Sequence, residues 1–362
     1  MSRAAPSTVV PSSDTPPTAD TRHAAPAPSS PHTPSSTDAP DTHTARSGPV
    51  ALAARVTAQL IDALNHGARP WVQPWDSAAA LALPLRHNGV PYKGFNIIAL
   101  WAAAAERQFT SRYWLTFKQA QALGGAVRRG ERATHILFYK DLAPPSSGDT
   151  AASSADTGTG NAATPDTPAR RVVLRSFAVF SASQIDNLPP HFFTTPAPAA
   201  DNTFLAARLD PLFARVPVVT THGGTRACYN PTTDTIHLPP RPAFVSLAQY
   251  FSTRLHELAH ATGHPTRLAR DAFLAPGPRS TAAYAREELV AELTAAFLGA
   301  ELHLPVDHLE DHASYLDHWL QILDRDPGAL LSAAAHAQRA ADFLRPFLCP
   351  DTVVPVTPAA RP

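Results

Sequence analysis

Apolar positions along this chain fall into a few periodic runs, separated by long stretches that hold almost none. Phe95, Ile97, Ile98, Leu100 and Trp101 recur at the spacing of a helix with one buried face. Residues 133–139 and 172–180 are short apolar runs rich in β-branched and aromatic side chains, which predict two strands, and residues 235–238 predict a third. Helical patterning returns at residues 249–263, where Gly263 is read as a C-cap, and at residues 281–293. Trp114 stands where a helix begins through Thr116, Phe117 and Lys118, and Gly124-Gly125 ends it. Arg128-Arg129-Gly130-Glu131-Arg132 is then a basic turn into the following strand.

The stretches without apolar periodicity divide the chain. Residues 1–48 are nearly all Ala, Pro, Ser, Thr, Asp and His, cannot bury a core, and are expected to be a disordered tail. Residues 144–168 have a similar bias and are read as a long hairpin loop inside one domain, because strand-like runs flank them. Pro and Ala cluster again at residues 188–200, which sets a boundary. The reading is an α+β chain of two domains, 49–190 and 200–348, with a tail at 349–362. A length of 362 residues, 44% hydrophobic, with 38 prolines largely in linkers, suits that organisation. No apolar run of transmembrane length exists and no h-region follows Arg3, so no membrane association and a cytoplasmic location are expected. Cys228 and Cys349 lie far apart and form no C-x-x-C, which points away from a zinc ribbon or a disulfide framework and toward a reducing compartment.

Candidate chemistry concentrates in the second half. His256-Glu257-Leu258-Ala259-His260 places two imidazoles at i and i+4, on one face of the helix at 249–263, with a carboxylate beside them. That is the metal-binding pattern of zinc peptidases. A third ligand is needed, and the helix at 281–293 offers Glu288 and Glu292 on a shared face. Zinc peptidases of the glutamate type pair a ligand Glu with a polar residue four positions on that orients a ligand histidine, so Glu288 is read as the ligand and Glu292 as its support. Glu287 competes for the role, but has Ala291 at i+4 and points about a quarter-turn away. Gly263-His264 invites a longer three-histidine pattern, yet Thr266 occupies the position of its last histidine, and His264 is read as a capping or turn residue. His308 and His312 are also four apart. Their glutamate falls between them in neither known order, and an acidic solvated helix face accounts for the segment.

The formal net charge of zero conceals a basic segment. Between residues 86 and 140 nine cations face two acids, and Tyr, Phe and Trp are interleaved with them. Cations that track phosphates and rings that stack on bases are what single-stranded nucleic acid binding uses. The candidate contacts are Arg86, Tyr92, Lys93, Trp114, Lys118, Arg128, Arg129 and Lys140, with Phe95 and Trp101 assigned to the core.

Several further runs stand in a recognisable order: Pro70-Trp71-Val72-Gln73-Pro74-Trp75, Tyr92-Lys93-Gly94-Phe95-Asn96, Trp114-Leu115-Thr116-Phe117-Lys118-Gln119 and Phe177-Ala178-Val179-Phe180-Ser181. Together with Tyr229, Ile236-His237-Leu238-Pro239, the His256–His260 motif and Arg267-Leu268-Ala269-Arg270, they resemble the ArdC-type antirestriction proteins. In that family a single-stranded DNA-binding domain, shared with plasmid primases of the TraC type, precedes a zincin-like metallopeptidase domain. The chain departs from the family at Ser181–Ser183 and in its long insert at 144–168, and the absence of room for a toprim region points away from primase activity.

The resemblance implies a zinc ion, or manganese or another divalent metal, held by His256, His260 and Glu288, with Glu257 as general base. Tyr284, one turn before Glu288, is a candidate oxyanion donor with a packing role as its alternative, and the strand at 235–238 is read as the edge on which an extended peptide pairs. Two functions follow from it. One is a peptidase acting on proteins at DNA, a restriction component among them. The other is a non-proteolytic antirestriction protein that masks single-stranded DNA and uses its metal structurally.

Overall fold

The computed structural model describes residues 49–65, 82–142, 171–194, 202–274, 281–304, 313–326 and 328–350. Expectations for residues 1–48, 144–168 and 307–312 lie outside them. The first half contains α1 (Pro49–Asn65), β1 (Leu85–Arg86), α2 (Phe95–Arg107), β2 (Tyr113–Leu115), α3 (Phe117–Ala122), β3 (Ala126–Val127), β4 (Thr134–Leu142), β5 (Arg171–Ser181) and β6 (Ile185–Asp186). The second contains α4 (Asn202–Ala214), β7 (Val219–His222), β8 (Cys228–Asn230), β9 (Thr235–Leu238), α5 (Leu247–Ala261), α6 (Asp271–Leu274), α7 (Thr281–Glu301), α8 (Ala313–Arg325) and α9 (Ala329–Leu348).

In the first half a four-stranded sheet has the order β1-β2-β5-β4. The two apolar runs that flank the insert pair antiparallel as β4 and β5, from Thr134 opposite Val179 to Leu142 opposite Arg171. Edge strand β4 is closed at Leu137 by the Asn96 side chain, whose Nδ2 donates to the Leu137 carbonyl at 2.7 Å while its Oδ1 accepts from the Leu137 amide at 2.8 Å. Trp114 falls in β2 rather than in a helix. The helix begins at Phe117, because Thr116 and Gln119 cap its N-terminus reciprocally.

The apolar face of α2 is buried as its spacing requires, and it joins the two halves into one core. Trp101 on α2 meets Phe297 on α7 at a ring separation of 6.1 Å. Just before α2, the Gly94 amide donates to Gln338 Oε1 of α9 at 2.7 Å. Gly94 has φ 55°, a left-handed conformation that favours glycine, although a Cβ there would make only ordinary contact with the Ala334 carbonyl oxygen at 3.5 Å. A smaller cluster of Leu115, Ala120, Ile185 and Phe192 supports the basic turn.

The second half sets α5 between a three-stranded sheet and α7, with α9 packed against α7. That sheet has the order β7-β9-β8. The strand read as an edge, Thr235–Leu238, is therefore the central one, paired parallel to β7 and antiparallel to β8. Trp319 on α8 is core, and its indole Nε1 donates to the Ala285 carbonyl on α7 at 3.0 Å. No helix among the described residues is long and apolar enough to cross a membrane.

Candidate metal centre and basic face

Helix α5 starts where the Ser246 hydroxyl accepts from the Gln249 amide at 3.0 Å, and it runs into the core so that every residue from Leu255 to Ala261 is buried. The i, i+4 spacing then brings the two imidazoles together, with Nε2 of His256 3.1 Å from Nε2 of His260. From α7, Glu288 enters the same point. Its Oε2 is 3.3 Å from Nε2 of His256 and its Oε1 is 3.4 Å from Nε2 of His260. Four donors about 2.0–2.1 Å from a tetrahedral ion stand roughly 3.3 Å apart. The three side chains therefore offer two imidazole nitrogens and a carboxylate at the separation one divalent ion requires, and they form a buried ligand cluster able to hold it.

Each imidazole is held from behind by its own carboxylate. Glu292 Oε2 is 3.5 Å from Nδ1 of His256, and Glu287 Oε1 is 3.2 Å from Nδ1 of His260. These contacts leave both Nε2 atoms facing the ion's position. Glu287, weighed from the sequence only as a rival ligand, thus lies behind His260. Burial disfavours charge on the two histidines, yet the surrounding carboxylates outweigh it. They raise His256 well above its ordinary value and bring His260 to about 9. Burial likewise opposes ionisation of Glu287 and Glu288, and the neighbouring cations overcome it and lower both.

Glu287 is fixed by Arg270, the last residue of the run Arg267-Leu268-Ala269-Arg270, to which the sequence assigns no role in the site. The guanidinium donates to Glu287 through Nε at 2.8 Å and Nη2 at 2.5 Å, to the Thr262 hydroxyl at 2.7 Å and to the Ala259 carbonyl at 2.8 Å. It therefore ties the C-terminus of α5 to α7. Gly263 makes this possible in a way the capping rule did not anticipate, since its φ is not left-handed. A Cβ there would collide with the Phe273 ring and stand 2.8 Å from Arg270 Nη2. His264 bonds Thr266 Oγ1 at 2.8 Å through Nδ1 and belongs to the turn, not to the ligand cluster. In the same turn Arg267 reaches across to Asp234 at the β8–β9 corner.

Glu257 differs from the other acids. The residue is only 6% exposed, yet its carboxylate makes no hydrogen bond or ion pair among the described residues, and its charge is felt by His256 and by Cys228 on β8. Tyr284 is half-buried on α7, one turn before Glu288.

The basic face divides differently from the sequence reading. Trp114 is 1% exposed and Tyr92 is also buried, its hydroxyl donating to the Trp114 carbonyl at 3.5 Å, so neither presents a ring to a base. Burial accordingly pushes the Tyr92 phenol up to about 12. Both aromatics lie under β1 and β2 as core. Arg86, Lys118 and Arg129 are exposed. Lys93 is exposed too, but pairs with Asp342 at 3.4 Å. Arg128 holds its own turn together by donating to Glu131 at 2.9 Å and to the Ser183 carbonyl at 2.6 Å. The side chain of Lys140 lies outside the described set.

Comparison with known proteins agrees with both halves. A family described as the N-terminal domain of anti-restriction factor ArdC matches residues 51–180, and one described as a zincin-like metallopeptidase matches residues 207–336. The uncharacterized protein y4eC of Sinorhizobium fredii is 34% identical over 298 residues, covering 82% of this chain and 92% of that protein. DNA primase TraC of Escherichia coli is 36% identical over 299 residues, a match covering 81% of this chain but 27% of the primase. Crystal structures of the antirestriction ArdC protein from the R388 plasmid, metal-free and Mn(II)-bound, match with a TM-score of 0.65 and 34% identity. They cover 82% of this chain and 97% and 98% of theirs. With both halves matched in order and nearly the whole length of such relatives covered, the chain belongs to the ArdC-type antirestriction family, an ArdC N-terminal domain followed by a zincin-like metallopeptidase domain.

Proposed function

We propose that the protein binds single-stranded DNA through its first half and hydrolyses peptide bonds of proteins met there through its second, with zinc as the ion. The observation that carries the peptidase reading is Glu257. A metal that only staples the fold needs ligands, and here the ligands and their supporting carboxylates are His256, His260, Glu288, Glu287 and Glu292. Glu257 serves none of those contacts, and its carboxylate remains to move a proton.

When bound, the divalent ion supplies Lewis-acid polarisation of a carbonyl and activation of a water. Glu257 accepts the proton of that water as its oxygen attacks the peptide carbonyl carbon, and delivers it to the amine nitrogen as the C–N bond breaks. Tyr284 is the side chain on α7 assigned to donate to the oxyanion. The extended peptide pairs with β8, the edge strand beside α5, since β9 has both sides occupied. The influence of Glu257 on Cys228 supports that placement, because it sets β8 near the base.

Wild type and Glu257→Gln, each loaded with metal, are to be compared on candidate protein substrates with and without single-stranded DNA. We expect cleavage by the wild type alone at equal metal content. If Glu257→Gln protects transforming DNA from restriction as well as the wild type, antirestriction does not run through proteolysis and the structural-metal reading takes its place.

A further inference from the structure

With Trp114 and Tyr92 in the core, stacking surfaces for bases have to come from elsewhere in the first half. The β4–β5 hairpin carries them. Phe138 is 49% exposed and Phe177 43% exposed, and their rings meet edge-to-face at 5.7 Å. Phe117, Phe193 and Phe204 are exposed as well, but Phe138 and Phe177 stand as a contacting pair, and two large apolar side chains left in solvent side by side mark a surface with a use. Side chains alternate along a strand and opposed residues share a face, so Thr134, Ile136 and Phe138 lie on one side of β4, with Val179, Phe177 and Arg175 beside them on β5.

At the root of that face is a cavity of about 480 Å³, between α1, α2 and the start of β4. Arg55, Arg107 and Arg132 line it, as does one acid, Glu106, which already accepts from Gln59 Nε2 at 3.0 Å. Thr134 also lines it. That residue is 8% exposed, and its buried hydroxyl has no hydrogen-bond partner among the described residues. A buried donor left unsatisfied is costly unless a ligand completes it, and three guanidiniums around it select an anion. From Thr134 to Phe138 the strand spans about 13 Å, within reach of one short oligonucleotide.

We propose that single-stranded DNA lies along this face of the hairpin, bases stacking on Phe138 and Phe177 and a backbone phosphate seated in the cavity beside Arg55, Arg132 and the Thr134 hydroxyl. The proposal rests on the single-stranded DNA reading of the first half and adds where the strand runs. The basic turn from Arg128 leads directly into the cavity, and Arg175, opposite Phe138, adds a cation beside the rings.

The test is fluorescence polarisation of a labelled short oligothymidylate with the full chain over a series of salt concentrations. Phe138→Ala and Phe177→Ala are each expected to weaken binding about tenfold, and Phe138→Trp, which keeps a stacking ring, to retain it. The double variant Arg55→Ala/Arg132→Ala is expected to flatten the dependence of log affinity on log salt by about 0.7 for each phosphate it no longer neutralises. Arg325→Ala, exposed on α8, serves as the charge control and should leave both unchanged. If the wild type binds while the hairpin and cavity variants match it, the strand runs elsewhere and only the siting is overturned. Equal weakening by Arg325→Ala, or failure of Phe138→Trp to retain binding, overturns it as well. A wild type that does not bind the oligonucleotide removes the DNA reading and this proposal with it.

Discussion

Nδ1 of His260 stands 3.2 Å from Glu287, whereas its Nε2 stands 3.4 Å from Glu288, so two adjacent residues of α7 grip opposite sides of one imidazole. The helix makes this possible because successive side chains point about 100° apart. One carboxylate occupies the ligand position and the other lies behind the ring. Removing them should therefore have effects that differ in kind. Glu288→Ala removes a ligand and should abolish stoichiometric metal on purification. Glu287→Ala and Glu292→Ala should still load, with affinity lowered about 10–100-fold. Elemental analysis with chelator competition distinguishes the two, and equal metal loss in Glu287→Ala and Glu288→Ala would reverse the ligand assignment.

Arg270 and Glu287 form a buried ion pair, with side chains 5% and 2% exposed, and breaking one partner leaves the other's charge uncompensated. Arg270→Met should cost about 3–5 kcal/mol in the metal-free protein, measured by denaturant unfolding. Gly263→Ala should cost about 1–3 kcal/mol, because the added methyl displaces Phe273 and the same guanidinium. Since both act on one cluster, the combined variant should lose less than the sum. Strict additivity would mean that Gly263 does not make room for Arg270.

What could be read from sequence here was what is local. The spacing of His256 and His260 on α5, and of Glu288 and Glu292 on α7, follows from helical periodicity alone, and the structure brings the four together. Which imidazole nitrogen Glu287 meets depends on how α5 and α7 pack, and Arg270 reaches the site from a turn whose path no periodicity describes. The adjacent acids Glu287-Glu288 were the available signal, since one ion uses one ligand from such a pair. Strand order is equally non-local, which is why β9 looked like an edge. Trp114 and Tyr92 were misplaced for another reason. Interleaving of rings with cations counts side chains without knowing which face of β2 is covered, and the exposed pair Phe138 and Phe177 sat in a run that reads simply as an apolar strand.

The reassignment of Trp114 has a direct thermodynamic consequence. A side chain 1% exposed, packed edge-to-face on Phe109 at 5.8 Å, should cost about 3–5 kcal/mol when cut to alanine. Phe117, exposed on α3, should change stability by less than about 0.5 kcal/mol on the same substitution. Chemical denaturation of the two variants checks this. Similar stabilities would return Trp114 to the surface.

Protons and metal compete for the same nitrogens, and this fixes the sign of the pH dependence. In the metal-free site His260 titrates at about 9 against an ordinary 6.5, because Glu288 and Glu287 outweigh its burial. The folded state therefore holds this proton more tightly than the unfolded chain. The stabilisation is complete below about 6.5 and is lost as pH rises through about 9. Glu288 shifts the opposite way, and its contribution is lost only below the ordinary carboxylate range, outside that window. The melting temperature of metal-free protein should accordingly fall between pH 6.5 and 9, while metal affinity rises over the same interval. Both Nδ1 atoms face carboxylates, so the extra proton that His260 holds below about 9 sits on Nε2, and loading an ion at neutral pH must expel it. Calorimetric titration of metal in buffers of differing ionisation enthalpy counts that proton. A heat independent of buffer, together with flat melting from pH 6.5 to 9, would mean that the imidazoles are already neutral and that the carboxylates around them do not hold the charge assigned here.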